Sequence, residues 1–153
     1  MKVTRAKDLY VLQLCKRENH LLLELLKLYP RIPPAHHRLS KTAKTPDQES
    51  NQRLLDEALA DQRAQNKRNL ETLLKDPKRM QATNTGCRLL LSAADLEWVL
   101  QILNDIRVGS WIMLGSPEAK IGLELLNDET APHFWAMEMS GFFQMHLLEA
   151  LNP

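Results

Sequence analysis

The sequence has little glycine, few aromatic residues and no long hydrophobic run, and each shortage excludes a class of protein. Its five glycines form no GxGxxG, Walker or GxSxG pattern, so the common phosphate-binding loops and serine nucleophile elbows are excluded. The longest apolar runs are short leucine groups such as Leu21–Leu23 and Leu89–Leu91, far below the roughly 20 residues that cross a bilayer. No apolar signal segment follows Met1. We therefore expect a cytoplasmic protein with no membrane span.

Cysteine is also scarce, and its placement argues against metal or redox chemistry. Cys15 and Cys87 lie far apart, and neither belongs to a CxxC pair. The histidines form no HExxH or ExxH pattern. We expect reduced structural thiols, no metal site and no cofactor.

Charge is balanced overall but unevenly distributed along the chain. Residues 1–46 carry ten Lys and Arg against three Asp and Glu, residues 47–110 nine against ten, and residues 111–153 one against six. The pI of about 7.8 lacks the basic excess of typical nucleic-acid binders. Nucleic acid is therefore not an expected partner, although the basic N-terminal part leaves polyanion binding as a hypothesis.

The first third of the chain predicts a hairpin, a buried helix and a linker. Lys2–Arg5 and Leu9–Leu14 are β-prone runs around a short turn. Leucines fill nearly every face of a predicted helix over Lys16–Tyr29, which indicates that it is buried or meets a second subunit. Residues 31–45 form a basic, proline-containing linker.

The remainder predicts three helices and one strand. Thr45 and Pro46 begin a helix that runs to Lys75 through a polar middle, and Lys78–Gly86 is a loop. A strand at Arg88–Leu91 and a central helix at Ala93–Leu114, capped by Ser92 with Asp95, come next. They are followed by a short segment at Glu118–Leu126 and a last helix at Pro132–Leu151. The expected fold is mainly α: one compact domain over 1–153, with about four helices, an N-terminal β-hairpin and one further short strand.

Asn104, Asp105 and Arg107 in the central helix are the candidate polar site. Asp105 falls on an apolar stripe with Trp98 and Ile102, so its carboxylate is predicted to face the core. A buried carboxylate needs a partner, and Arg107 two residues away points to a different face. The three residues form either a structural polar network or a ligand-binding or acid–base site.

Two apolar clusters are candidate interfaces as well as candidate core. They are the leucine-rich helix and the aromatic last helix, and dense apolar surfaces of this kind either fill a core or bind a partner. The candidate interface residues are Leu22, Leu25, Leu26, Trp135 and Phe142.

The segment from Arg88 to Gly115 resembles an uncharacterised bacterial family, the domain of unknown function twenty-seventeen, best known from actinobacteria. The resemblance is carried by Trp98-Val-Leu, Leu103-Asn-Asp-Ile-Arg107 and Leu114-Gly115. The hairpin, the leucine-rich helix and the aromatic last helix are also similar, whereas the basic linker and Gly109-Ser-Trp depart from the family. The resemblance implies a compact, mainly α domain with small β elements and no known activity. Genes of the family often lie beside that of the Clp protease adaptor, which suggests proteostasis.

The leading functional hypothesis is a non-enzymatic interaction or regulatory module that acts through helical surfaces, by binding a protein partner or by self-association. The alternative is a small-ligand binder or an enzyme with a polar site around Asn104, Asp105 and Arg107.

Overall fold

The computed structural model describes residues 1–37, 47–118 and 126–152. Within these ranges a four-stranded antiparallel sheet and four α-helices form the fold, together with one 3₁₀ turn at Pro34–His37. In chain order the elements are β1 Lys2–Ala6, β2 Leu9–Cys15, α1 Lys16–Leu26, α2 Gln48–Lys75, β3 Met80–Ala82, β4 Gly86–Ser92, α3 Ala93–Met113 and α4 Ala131–Leu151.

The sheet consists of two hairpins joined side by side, in the order β1-β2-β4-β3. The N-terminal hairpin is confirmed, with Val3 opposite Leu12. The second hairpin corrects the prediction of a loop over 78–86 and of only one further strand, because β3 pairs with the start of β4. Within the described residues the fold is therefore α+β, with four strands rather than three.

Gly86 is required at the seam between the two hairpins. Its Cα lies so close to β2 that an added Cβ would come within 1.9 Å of the Leu14 carbonyl oxygen. Glycine, which has no Cβ, allows this backbone approach. The strand pair β2–β4 can therefore continue to the very start of α1.

Two capping boxes set the starts of α1 and α3. Ser92 accepts a hydrogen bond from the Asp95 amide and Asp95 accepts one from the Ser92 amide, as predicted. Cys15 and Glu18 form the same reciprocal pair at α1, with a thiol in the place of the usual hydroxyl. Each cap turns the chain directly from a strand into a helix.

The core lies between one face of the sheet and the helices. Side chains of alternate strand residues enter it, whereas Gln13 and Arg88 on the other face are exposed. The α1 leucines enter it as well, because that helix packs against the sheet, α3 and α4. Its largest fully buried side chains include Leu12, Leu25, Leu73, Leu91, Ile102, Leu103 and Phe143.

Helix boundaries follow the predictions with two differences. Helix α1 ends at Leu26 rather than Tyr29, because the amides of Leu28 and Tyr29 form i→i−3 hydrogen bonds and do not continue the α-helical pattern towards Pro30. Helix α2 is described from Gln48, so the predicted cap at Thr45 and Pro46 and much of the linker over 31–45 lie outside the described residues. The same holds for most of the predicted segment over 118–126.

Cys15 and Cys87 are both free thiols, one exposed and one buried. They sit at diagonal positions of β2 and β4, on opposite faces of the sheet. None of the helices in the described ranges is sufficiently long and apolar to be a candidate for a membrane span.

Candidate functional site

Asp105 is bound to the chain segment that follows α1. Its Oδ1 accepts hydrogen bonds from the backbone amides of Arg31, at 2.5 Å, and Ile32, at 3.2 Å. Its Oδ2 lies 3.6 Å from the Arg63 guanidinium, and the side chain is only 12% exposed. Asp105 therefore accepts hydrogen bonds from two backbone amides that have no partner within a helix or strand. It also forms an ion pair with Arg63 of α2.

The polar middle of α2 completes this arrangement. Arg63 donates to the Ile32 carbonyl at 2.7 Å, so it bridges the same segment from its other side. Asn66, which is buried, donates to the Tyr29 hydroxyl at 3.4 Å. Burial raises the pKa of Tyr29, and the Asp105 charge adds to the effect. Most of the polar middle of α2 is exposed, and Arg63 and Asn66 are the residues in it that contact the segment after α1.

The Arg31 side chain extends the contacts to α3 and α4. Its Nη2 donates to Nδ1 of His133, and its Nε contacts Sδ of Met113 at 3.3 Å. Because arginine has no acceptor, the His133 Nδ1 atom must be unprotonated. Burial and the Arg31 charge both lower the pKa of His133, in agreement with that protonation state. We call Arg31, Ile32, Arg63, Asp105 and His133 the Asp105 junction.

The Asp105 junction joins α2, α3 and α4 to the short segment that follows α1, and it has the chemistry of a structural contact. Both carboxylate oxygens are occupied by groups of the protein itself. The position of Asp105 against the interior, with a polar partner, is as predicted. Its main partners are backbone amides, which the side-chain pattern could not identify.

Asn104 and Arg107 lie on a different side of α3 and do not join Asp105. Both are exposed and line an open groove between α3 and α4, which we call the α3/α4 groove. The Arg107 guanidinium lies over Gly141, where an added Cβ would be 3.7 Å from its Nε, and it contacts the Gln144 side-chain oxygen at 3.5 Å. The three predicted site residues are thus divided between two places.

The α3/α4 groove is mainly apolar and is rich in methionine. Its apolar lining residues are Val108, Trp111, Met137, Met139, Phe142, Met145 and Leu148. Met145 and Leu148 are 50% and 47% exposed, although both belong to a helix whose other faces pack into the core. Glu138 and Glu149 are the charged residues that α4 contributes to the groove.

The predicted interface residues divide in the same way. Leu22, Leu25 and Leu26 are buried core residues, so they do not form a surface in this fold. Trp135 is partly buried and packs against the core. Phe142 alone of the five lines the α3/α4 groove.

The sequence prediction named Phe142 among the α4 groove residues but did not single out Met137, Met145 or Leu148. Helix α4 carries apolar side chains on every face, which is the pattern of a helix that is covered all round. The described fold leaves one of these faces uncovered. Met137, Met145 and Leu148 line the groove on this face, and their apolar side chains are the sequence signal for it that the prediction did not use.

Among residues 1–37, 47–118 and 126–152, no three His, Cys, Asp or Glu side chains are grouped as metal ligands. No protein-family model matches the chain, and no curated protein or solved structure shows significant similarity to it. The resemblance to the domain of unknown function twenty-seventeen stays a prediction.

Proposed function

We propose that the protein is a non-enzymatic interaction module that binds a protein helix through the α3/α4 groove. The observation that carries the proposal is the uncovered apolar face of α4, on which Met145 and Leu148 are about half exposed. Large apolar side chains that are exposed together mark interaction surfaces more often than chance placement does.

The shape and composition of the groove favour a helical partner. A groove between two packed helices accepts the apolar face of a third helix, whose side chains anchor at helical spacing. Methionine side chains such as Met137 and Met145 are unbranched and adapt their shape to what packs against them. A module of this kind is compatible with the Clp-type proteostasis that the family resemblance implies.

The alternative, a ligand site built from Asn104, Asp105 and Arg107, has less support. The Asp105 carboxylate is occupied by the amides of Arg31 and Ile32. Asn104 and Arg107 lie in the α3/α4 groove without it. A structural role for Asp105 and a binding role for the groove account for this separation.

Site-specific photocrosslinking in living cells tests the proposal. A benzophenone amino acid is introduced at Met145 in the groove and, as a control, at Glu71, which is exposed on α2 and does not line the groove. We expect a discrete protein adduct from position 145 and none from position 71. Leu148→Glu should remove the adduct without lowering the free energy of unfolding by more than about 0.5 kcal/mol, because position 148 is on the surface.

The absence of a protein adduct at position 145, or the same adducts at both positions, would contradict the proposal. Identification of the adduct by mass then distinguishes one partner from another.

A further inference from the structure

We infer that the α3/α4 groove is occupied by α4 of a second copy of this chain, in an antiparallel pairing where Arg107 of each copy faces Glu149 of the other. The inference rests on the proposed function and names its partner.

Charge is the first reason. The groove holds a cation, Arg107, and two carboxylates, Glu138 and Glu149. In the described part of the chain Arg107 forms no ion pair, and its side-chain hydrogen bond is a long one, at 3.5 Å to Gln144. A surface that carries unpaired charges of both signs beside an apolar strip complements itself. Such a surface suits a two-fold dimer, in which residue i meets residue j and j meets i.

The positions of the exposed apolar residues fix the register. Met145 and Leu148 are one turn apart on α4 and are the most exposed of its large apolar side chains. An antiparallel pairing buries both when the two-fold axis passes between them, so that Met145 faces Leu148 of the other copy. The same register places Leu151, which is 39% exposed, opposite Phe142 of the other copy.

This register also brings Arg107 of each copy next to Glu149 of the other. In this register Glu149 of one copy lies at the level of Gln144 of the other, and Gln144 is the α4 residue that Arg107 contacts. Glu138 lies about 16 Å from Glu149 along α4, at 1.5 Å per residue, and falls outside the overlap. Arg107 is therefore paired with Glu149 and not with Glu138.

Charge reversal gives a test that only this pairing passes. Arg107→Glu and Glu149→Arg are made as separate variants, and their masses are measured by sedimentation from about 1 μM to about 1 mM. The wild-type protein should dimerise, and each variant alone should dissociate at least about tenfold more readily, because both charge pairs become repulsive. An equimolar mixture of the two variants should dimerise again, since every contact in the mixed dimer then joins opposite charges.

Glu138→Arg is the matched control. It makes the same change of charge on the same helix and in the same groove, but outside the overlap. Its dissociation constant should stay within about twofold of the wild-type value. Denaturant unfolding of all three variants verifies that they fold.

The inference is overturned if the wild-type protein has the mass of one chain at every concentration, or if the mixture of folded variants stays monomeric. It is also overturned if a wild-type dimer persists in both single variants, because the contact then lies elsewhere. An adduct at position 145 with a different protein, together with a monomeric wild type, would refute this inference and still support the proposed function. No protein adduct at position 145 would contradict both.

Discussion

Gly109 in α3 lies directly against the backbone of Arg31, where a Cβ at residue 109 would come within 2.6 Å of the Arg31 carbonyl carbon. This approach brings the segment after α1 close enough to α3 for the Asp105 carboxylate to accept hydrogen bonds from the amides of Arg31 and Ile32. Gly109 and Asp105 are one turn apart on α3. They act together, since one provides the space and the other the acceptor.

Gly109→Ala should therefore destabilise the protein. The new methyl group would meet backbone atoms, which cannot swing aside as the tip of a long side chain can. We expect a loss of about 2 kcal/mol in the free energy of unfolding, measured with urea, as for other overpacked sites. Gly141→Ala is the control, because a Cβ there would be at an ordinary 3.7 Å from Arg107, and alanine favours a helix by up to about 1 kcal/mol. Equal effects of the two substitutions would contradict the close approach at Gly109.

Asp105→Ala should cost more than Asp105→Asn. The alanine variant leaves two amides and the Arg63 guanidinium without their acceptor, and we expect a loss of about 3 kcal/mol. Asparagine keeps one carbonyl oxygen for the amides and loses only the charge, so about 1 to 2 kcal/mol should be lost. Urea unfolding of both variants at neutral pH measures the difference. An Asp105→Ala variant with an unchanged free energy of unfolding would show that the carboxylate does not hold the segment after α1.

Local signals account for the parts of the fold that were predicted correctly. The Ser92–Asp95 capping box marked the start of α3, and the β-prone run Leu9–Leu14 marked β2. These patterns depend on neighbours within a few residues, so the sequence displays them directly. The interior position of Asp105 was predictable for the same reason, because helical spacing placed it on an apolar stripe.

Features that depend on distant partners were missed. Strand β3 has three residues and no β-branched side chain, so it exists because β4 pairs with it. The Arg31 amide that binds Asp105 is 74 residues away, and no side chain marks a backbone donor. The Cys15 cap was overlooked because cysteine is not among the common capping residues.

His133 should make the stability depend on pH in the mildly acidic range. Burial and the Arg31 charge hold the pKa of His133 below its usual value of 6.5, so the unfolded chain takes up this proton at a higher pH than the folded one. The free energy of unfolding should therefore fall as the pH decreases from about 6.5 towards the folded pKa, and should not respond to His133 above that window. His133→Gln should flatten the dependence below about pH 6.5. Identical pH profiles for the variant and the wild type would contradict this role of His133.

Asp95 should account for part of the loss of stability at acid pH. Burial raises the pKa of Asp95, but hydrogen bonds from Ser92 and from Arg79 outweigh that effect, and the net pKa lies below 3.8. The stability that Asp95 contributes is thus complete above about pH 3.8 and is lost as the pH falls through the folded pKa. Arg79→Gln should weaken the pH dependence in that acid range, as followed by circular dichroism. Asp95→Asn should abolish the contribution and also cost about 1 kcal/mol at neutral pH, because the ion pair with Arg79 is lost while the Ser92 cap remains.

The seam between the two hairpins has a consequence for how the chain folds. Within the hairpins the paired strands are separated by two or three residues, whereas the nearest pair across β2 and β4, Cys15 and Gly86, is separated by 71 positions. Closing a long loop costs more chain entropy than closing a short one, and non-local pairings slow folding. The hairpins can therefore form as separate nuclei, and their union, with the helical core that it completes, is the step expected to limit the folding rate.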